Sequence, residues 1–202
     1  RRTPPIHAVL ARTGLKIYGE GAGKVRQHGY RQRRTWRKRH VAVNAATGEI
    51  QAAGLTEASP DEAEMAGEWL AHTTVPVEHV SAAGAYDQQK VYTAAPEHAV
   101  PRITLPPPRD AHSWQPGHGA TPPHPRDENL RRMRDVGRRP WKEESGYHRR
   151  SRAETRMFRF KTLFGDQLSA RELARQMTAA RIKCAALNRM TGLGMPESYR
   201  VT

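Results

Sequence analysis

The sequence predicts one α/β domain over residues 1–202, in which a mixed β-sheet is flanked by helices. Three strand-like segments come first, and helical and strand-like segments then alternate along the chain. A second observation is size, because 202 residues, of which 37% are hydrophobic, are enough for one domain with a substantial core.

The first three strands are predicted before residue 57. His7–Ala11 is a short apolar strand that we expect to break at Thr13–Gly14. Thr35–Val43 and Gly48–Thr56 are predicted to pair, with Asn44–Gly48 as the turn between them, because Asn and Gly favour tight turns. These two strands therefore form a β-hairpin.

Helices and strands then alternate. Ser59–His72 is predicted to be a helix, with Ser at the cap, Pro in the first turn and acidic residues near its start. Val77–Ala82 follows as a strand, Asp87–Ala95 as a helix that Pro96 ends, and Ala99–Leu105 as a further strand.

A Pro-rich segment, residues 106–125, is predicted to be a long loop without regular structure. His112, His118 and His124 recur in it at six-residue intervals, a pattern that is compatible with a metal site. Metal sites need ligands held in fixed geometry, however, and this segment has neither Cys nor a rigid helix beneath the histidines. We therefore expect solvated loop histidines.

Three helices are predicted after the loop. Asp127–Val136 is a basic helix, and Ser169–Met190 is amphipathic, with Ser169 and Glu172 forming a capping box at its start. The apolar face of this last helix consists of Leu173, Met177, Ala180, Cys184 and Leu187. The helix between these two contains the most informative spacing of the chain.

Tyr147, Arg150, Glu154 and Lys161 stand in the order Tyr-x2-Arg-x3-Glu-x6-Lys. At about 100° per helical residue, they fall on one narrow stripe. The neighbouring face is apolar and can bury the helix. That face consists of Ala153, Met157, Phe160, Leu163 and Phe164. A carboxylate among cations and a phenol suits phosphate chemistry, since it can hold a divalent metal while Arg and Lys hold an anionic strand. The alternative is a solvated charged face.

The net charge of +14 and the pI near 10.7 favour a polyanionic partner. Lys24–His40 has eight cations and no acidic residue, and Arg131–Lys161 has twelve cations against four acids, so each segment has a net charge of +8. Such clustering is typical of nucleic-acid surfaces, and Tyr30, Trp36 and Trp141 are candidates for stacking or wedging. The alternative is a basic surface that confers solubility. The candidate DNA-binding residues are Arg33, Arg34, Trp36, Arg37, Lys38, Arg39, Arg138, Arg139 and Arg149.

The chain has one cysteine, Cys184, so no internal disulfide can form. Its apolar surroundings favour a buried structural thiol over a reactive one. No apolar run approaches the ~20 residues of a membrane span and no signal peptide is visible, so the cytoplasm is the expected compartment.

The Tyr-Arg-Glu-Lys spacing resembles the signature of bacterial insertion-sequence transposases of the DDE class. The resemblance extends along nearly the whole chain, and the matching segments are residues 13–21, 34–43, 46–50, 81–87, 123–130, 159–165 and 184–190. It implies a ribonuclease H-like fold, whose mixed-sheet order matches the strands and helices predicted above. In that fold the first and fourth strands lie side by side.

The resemblance also implies roles for the stripe residues. Glu154, Tyr147, Arg150 and Lys161 would be the catalytic residues, with Glu154 as a metal ligand and Mg²⁺ as the cofactor. An intact member would use the metal to activate water, cut the element's ends and join them to target DNA. The implied partner is double-stranded DNA at the transposon ends, a homo-oligomer is compatible with this role, and no membrane is involved.

Two departures from the family pattern concern the other carboxylates. The first aspartate precedes Thr-Gly-Leu by two residues, where Ala11 stands, and the second precedes Gly-x-Tyr-Asp, where Ala83 stands. One carboxylate, Glu154, remains, and it cannot hold two divalent cations well. Asp87, about 13 Å beyond Ala83 at roughly 3.3 Å per residue, and Glu20, in a Gly-Glu-Gly turn, are poor replacements.

The leading interpretation is a DDE transposase catalytic domain that keeps its DNA-facing surface and has lost its metal centre. Without the other carboxylates, Glu154 is expected to pair with Arg150 one turn away. The N-terminal region usual in the family is expected to be absent, as in a fragment or truncated copy. The alternatives are a non-enzymatic DNA-binding module that competes with an intact transposase for element ends, and a decayed copy without a selected role.

Overall fold

The computed structural model describes residues 3–17, 36–57, 62–73, 75–115 and 123–194. A six-stranded sheet lies at the centre of this part of the chain. The strands are β1 (Ile6–Ile17), β2 (Trp36–Asn44), β3 (Ile50–Glu57), β4 (Val77–Ala82), β5 (Arg102–Thr104) and β6 (Gln167–Leu168). The helices are α1 (Glu62–His72), α2 (Gln89–Glu97), α3 (Pro125–Val136), α4 (Arg138–Glu144), α5 (Ser151–Phe164) and α6 (Leu173–Gly192), with short 3-10 helices at Gly84–Tyr86 and Tyr147–Arg150.

The strand order is β3-β2-β1-β4-β5, with β6 pairing to the last residues of β1. β1, β2 and β3 are antiparallel neighbours, whereas β4 runs parallel to β1 and β5 parallel to β4. The prediction of a ribonuclease H-like mixed sheet flanked by helices is confirmed. No helix within the described ranges is long and apolar enough to cross a membrane.

The sheet separates two apolar clusters. On one face, Leu10 of β1 packs in a cluster with residues of α1 and α2, among them Tyr92. On the other face, Val9 packs with α5 and α6, where Phe160 and Leu187 are buried. Successive side chains of a strand point to opposite faces, so β1 contributes alternately to both clusters.

β1 is longer than the sequence predicts. We expected a break at Thr13–Gly14, but the strand continues to Ile17 and Gly14 pairs with Lys38 of β2. A Cβ atom at Gly14 would lie 3.2 Å from the Trp36 ring. The glycine therefore makes room for the tryptophan within the sheet instead of ending the strand.

The start and end of α2 also differ from the prediction. The helix begins at Gln89 rather than Asp87, because the Asp87 carboxylate accepts hydrogen bonds from Arg126 instead of capping a helix. Pro96 lies inside the last turn rather than beyond it. After this helix, Ala99 adopts a left-handed φ of 54°, and β5 is correspondingly shorter than predicted.

The predicted capping box of α6 does not form. Glu172 occupies the N-cap position without a side-chain cap, and its carboxylate pairs with Arg175 instead of reaching back to Ser169. The predicted helix cap at Ser59 lies outside the described residues. α4 and β6 were not predicted as separate elements.

β3 forms one edge of the sheet, and α6 covers it. The Asn188 side chain donates to the Ile50 carbonyl oxygen and accepts from the Ile50 N–H, both at 2.8 Å. Leu55 N–H donates to the sulfur of Met177 at 3.2 Å. Since an open edge exposes unpaired backbone groups to other chains, α6 completes the sheet as well as its core.

Three histidines are buried in the sheet. His7 and His79 stack with ring centroids 3.8 Å apart, and each bonds a hydroxyl of the next strand at 2.8 Å. His40 bonds Thr56 at 2.9 Å. Burial, reinforced by neighbouring cations, lowers the pKa of His7 and His40 to about 4 and the pKa of His79 to about 3.

Acidification should therefore destabilise the fold. Above pH 6.5 these histidines are neutral in both states. Below it, the unfolded chain takes up protons that the folded chain does not accept until about pH 4, so stability decreases through this window. Thermal unfolding followed by circular dichroism should show a Tm that falls from about pH 6.5 to about pH 4.5.

Replacement of both stacked rings, His7→Gln with His79→Gln, should make this decline shallower. His98→Gln, at an exposed histidine, is the matched control and should leave the decline unchanged. A Tm that is as high at about pH 4.5 as at neutral pH would contradict the interpretation.

Candidate functional site

Positions 11 and 83 meet where β1 and β4 lie side by side. Leu10 pairs with Ala82 in the parallel register, so the next residues are Ala11 within β1 and Ala83 immediately after β4. Ala11 is half-buried and packs with the cluster that includes Ala153 of α5. Ala83 packs against the cluster on the opposite face. The implied adjacency is thus confirmed for the backbone, while the two methyl groups point to different clusters.

α5 packs on the sheet mainly through Ala153, Met157 and Phe160, as its spacing predicts. Leu163 was expected on the same face, but its side chain is 49% exposed. It lies in the last turn, just before Gly165 ends the helix with a φ of 75° and the chain turns toward β6. The buried face is therefore shorter than predicted.

Glu154 lies in the first turn of α5, and its side chain is 56% exposed. It accepts a hydrogen bond from the Arg150 guanidinium one turn earlier, as predicted. The same guanidinium lies 5.6 Å from the centre of the Tyr147 ring. The carboxylate is therefore neutralised by a side chain of its own segment.

Tyr147 does not share the exposed stripe. It precedes α5 in the 3-10 helix and is only 8% exposed, with its ring 5.7 Å from that of Trp141. Burial raises the pKa of its phenol. The predicted stripe assumed 3.6 residues per turn throughout, whereas a 3-10 helix has about three, so Tyr147 is rotated toward the core. Trp141, 2% exposed, is likewise unavailable for stacking on bases. Lys161 is half-buried at the other end of the helix.

The candidate DNA-binding residues of β2 are largely engaged within the fold. Trp36 is half-buried and Lys38 is half-buried. Arg37 donates to Gln176 and to Glu57, each at 3.1 Å. Its charge is therefore partly offset by a carboxylate. Arg33 and Arg34 lie outside the described residues, as do Tyr30, His118 and Glu20.

Arg39 was wrongly predicted to bind DNA. Its side chain is 0% exposed and lies between the sheet and helices α5 and α6, with the guanidinium 3.4 Å from the centre of the Phe160 ring. Alternation along β2 turns this residue inward, although the run of cations around it favoured a surface position. It cannot contact a polyanion in the folded protein.

The candidates of the second basic segment are more accessible. Arg149 is exposed, and the Arg139 side chain is 93% exposed with a 3.8 Å contact to Glu143. Arg138 is half-buried and donates to the Pro107 carbonyl oxygen at 2.6 Å. Arg139 and Arg149 are therefore the members of the predicted set that are best placed for phosphates.

Two further arginines of α5 hold the turn between β2 and β3. Arg152 donates to the Ala46 carbonyl oxygen, and Arg156 donates to that of Thr47. Gly48 has a φ of 73°, and a Cβ atom there would overlap the Arg156 guanidinium. The basic face of α5 thus serves the fold as well as any external partner.

Asp87 belongs to a buried network that the sequence analysis missed. Its carboxylate accepts from Arg126 Nε at 2.9 Å and from the Tyr92 hydroxyl at 3.2 Å. Arg126 lies 4.1 Å from the Trp114 ring, and the Asp127 carboxylate accepts the Trp114 N–H at 3.0 Å. The network fastens the Pro-rich loop to α3, so Asp87 does not replace a missing catalytic carboxylate. The sequence feature that could have indicated this network is the adjacent Arg126 and Asp127 at the start of the predicted helix Asp127–Val136.

His124 also differs from the prediction of solvated loop histidines. Its Nδ1 accepts the Arg126 N–H at 3.2 Å at the start of α3, and its ring packs 4.9 Å from that of Tyr92. It is therefore a structural cap. His112 is exposed, as expected.

A family model described as the transposase DDE domain matches residues 3–189. The chain belongs to this family. Among solved structures, it is similar to a chain of a cryo-EM structure of the simian T-cell lymphotropic virus intasome in complex with PP2A regulatory subunit B56 gamma. The identity is 17%, the TM-score is 0.36, and the match covers 74% of this chain and 49% of that one. This transposase DDE domain thus spans about half the length of that structural relative.

Transposases of this family use a divalent metal ion, and the donors present here do not fit one. In the part of the chain that the structure describes, no three His, Cys, Asp or Glu side chains come together. Glu154 offers one carboxylate that is already paired with Arg150, while Ala11 and Ala83 offer only methyl groups. A divalent cation needs several anionic or carbonyl oxygens around it.

Replacement of Glu154 and of Asp87 by the corresponding amides should change the stability of the fold by different amounts. Glu154→Gln should change the free energy of unfolding by less than about 1 kcal/mol, because its ion pair is exposed. Asp87→Asn should cost on the order of 3 kcal/mol, because it removes the closest counter-charge of the buried Arg126. Denaturant unfolding at neutral pH measures both, and equal effects would show that burial does not separate these pairs.

Proposed function

We propose that this chain is a transposase DDE domain of the insertion-sequence Tyr-Arg-Glu-Lys group that binds double-stranded DNA without cleaving it. The observation that supports this proposal most directly is the state of the carboxylate at the start of α5. Glu154 pairs with Arg150, and the residues that stand at the positions of the two family aspartates, Ala11 and Ala83, have no side-chain oxygen to add.

The proposed loss of cleavage follows from the charge that metal-ion catalysis requires. When bound, the metal supplies the activation of water and the stabilisation of the leaving oxygen. Because one exposed carboxylate already neutralised by an arginine is a poor ligand set, we assign no cleavage or joining step to this chain.

The proposed DNA binding rests on charge and exposure. The chain carries a net charge of +14, and Arg139 and Arg149 project from the segment around α4 and the start of α5. Positive charge beside the start of α5 suits a phosphate backbone.

The first test of this proposal is cleavage. In Mg²⁺ or Mn²⁺ the purified chain should neither nick nor join DNA that carries matching ends.

Two results would overturn the inactive-site proposal. One is cleavage by the unaltered chain that Glu154→Ala abolishes. The other is a DNA affinity that is higher in Mg²⁺ than in EDTA for the unaltered chain but equal in both for Glu154→Gln. That result would show that Glu154 still holds a metal.

The second test is the salt dependence of DNA binding. The logarithm of the binding constant should fall by roughly 0.9 per neutralised phosphate for each tenfold increase in salt. Arg139→Ala with Arg149→Ala should reduce this slope by about 1.8, if each side chain contacts one phosphate. Arg175→Ala, on α6 and paired with Glu172, is the matched control and should leave the slope unchanged. Equal slopes for all three proteins would place the DNA elsewhere on the surface.

A further inference from the structure

Arg39 is a cation enclosed by the core. The interactions found for its guanidinium among the described residues are with the Phe160 ring at 3.4 Å, the Met157 sulfur at 3.7 Å and the Cys184 sulfur at 3.0 Å. Its Nε has no hydrogen-bond partner in the part of the chain that the structure describes. The guanidinium is therefore surrounded by sulfur atoms and an aromatic face rather than by carboxylates.

This environment creates a charge imbalance that one neighbouring group can correct. Arginine keeps its proton in proteins, and an uncompensated buried charge is strongly destabilising. The Cys184 thiol, which Arg39 Nη2 contacts directly, becomes an anion when it loses its proton. Burial raises the pKa of the Cys184 thiol, and the Arg39 guanidinium opposes that rise. Deprotonation of the thiol would pair the two charges inside the core.

Cys184 also faces solvent through a cleft. Its side chain is 5% exposed, but it lines a cleft of about 320 Å³ between β3 and α6. Ile50, Ala53 and Ala185 form part of the walls, while Arg181 and Asn188 also line it. The apolar portion of these walls suits small uncharged molecules.

We propose that Cys184 is a modification site for small uncharged electrophiles, hydroperoxides in particular, and that the Arg39 guanidinium stabilises its reactive thiolate. The sulfur would attack one peroxide oxygen, so that an S–O bond forms while the O–O bond breaks. The leaving hydroxide or alkoxide takes up a proton from solvent that replaces the one released by the thiol. Sulfur is thereby oxidised to a sulfenic acid, and the peroxide is reduced to water or an alcohol.

The same geometry gives the modification a structural consequence. Oxidation adds an oxygen atom to a sulfur that is packed in the core, and an added atom in a close-packed core is destabilising. Cys184 lies on α6, which covers the β3 edge, so the added atom weakens the attachment of this helix to the sheet. Oxidation should therefore lower the stability of the domain, and reduction of the sulfenic acid by a thiol should restore it.

The test uses the fact that the chain has a single cysteine, so every thiol signal comes from Cys184. The rate of alkylation of the folded protein by iodoacetamide, a small uncharged probe, is measured against pH. In Arg39→Met the apparent pKa of the thiol should rise, and the rate below that pKa should fall about tenfold for each unit of change. Arg181→Met removes a cation that lines the cleft without a contact to the sulfur, and it should react like the unaltered chain.

A peroxide arm uses the same three proteins. Sulfenic acid formed by hydrogen peroxide is trapped with dimedone and quantified by mass spectrometry. The unaltered chain and Arg181→Met should be labelled, and Arg39→Met should be labelled more slowly. Equal labelling of all three, or reaction that occurs only after the chain is unfolded, would overturn the proposal.

A double-mutant cycle of unfolding free energies tests the proposal even if local unfolding contributes to the reaction rates. Cys184→Ala should destabilise the unaltered chain more than it destabilises Arg39→Met, because only the former loses a counter-charge. Arg39→Met alone should fold and unfold at a higher denaturant concentration. An effect of Cys184→Ala that is the same in both backgrounds would show that the two side chains do not act as a pair.

Discussion

β1 is hydrogen-bonded along both of its edges, and the rest of the described structure depends on this constraint. β2 runs antiparallel along one edge and β4 parallel along the other, so the strand cannot shift without breaking both ladders. The same pairing sets Ala11 beside Ala83, and Val9 holds α5 against the sheet. Backbone pairing and apolar burial therefore fix the positions of Ala11, Ala83 and α5 without the help of polar side chains.

The cations of this domain have two kinds of environment. Arg152 and Arg156 donate to carbonyl oxygens of the β2–β3 turn, and Arg37 is held by Glu57, so these side chains contribute to folding. Arg139 and Arg149 extend into solvent from the segment that leads into α5. A net charge of +14 thus overstates the charge that is available to a polyanion, and exposure identifies which part of it is available.

Sequence periodicity and turn residues correctly predicted structural features that depend on residues close together in the sequence. The turn at Asn44–Gly48 and the buried side of α5 at Met157 are of this kind. The side-by-side placement of β1 and β4 was instead implied by the family resemblance. The features that were predicted wrongly depend on contacts between residues far apart in the sequence. Gly14 stays in a strand because Trp36 fills the space beside it, and Asp87 leaves a helix start because Arg126, 39 residues away, binds it. Local sequence patterns cannot predict these two outcomes, because each depends on a contact with a residue that is distant in the sequence and close only in the folded chain.

Arg126 and Arg39 are both buried cations, but their guanidinium groups have different neighbours. Arg126, at the start of α3, has Asp87 at 2.9 Å and Asp127 at 3.7 Å, and it links the Pro-rich loop to the fold. Arg39 has an aromatic face and two sulfur atoms. A carboxylate partner is ionised at neutral pH without help, whereas a thiol supplies its charge only when it loses a proton. The charge of Arg126 is therefore offset by carboxylates, whereas an anion beside Arg39 forms only when Cys184 loses its proton.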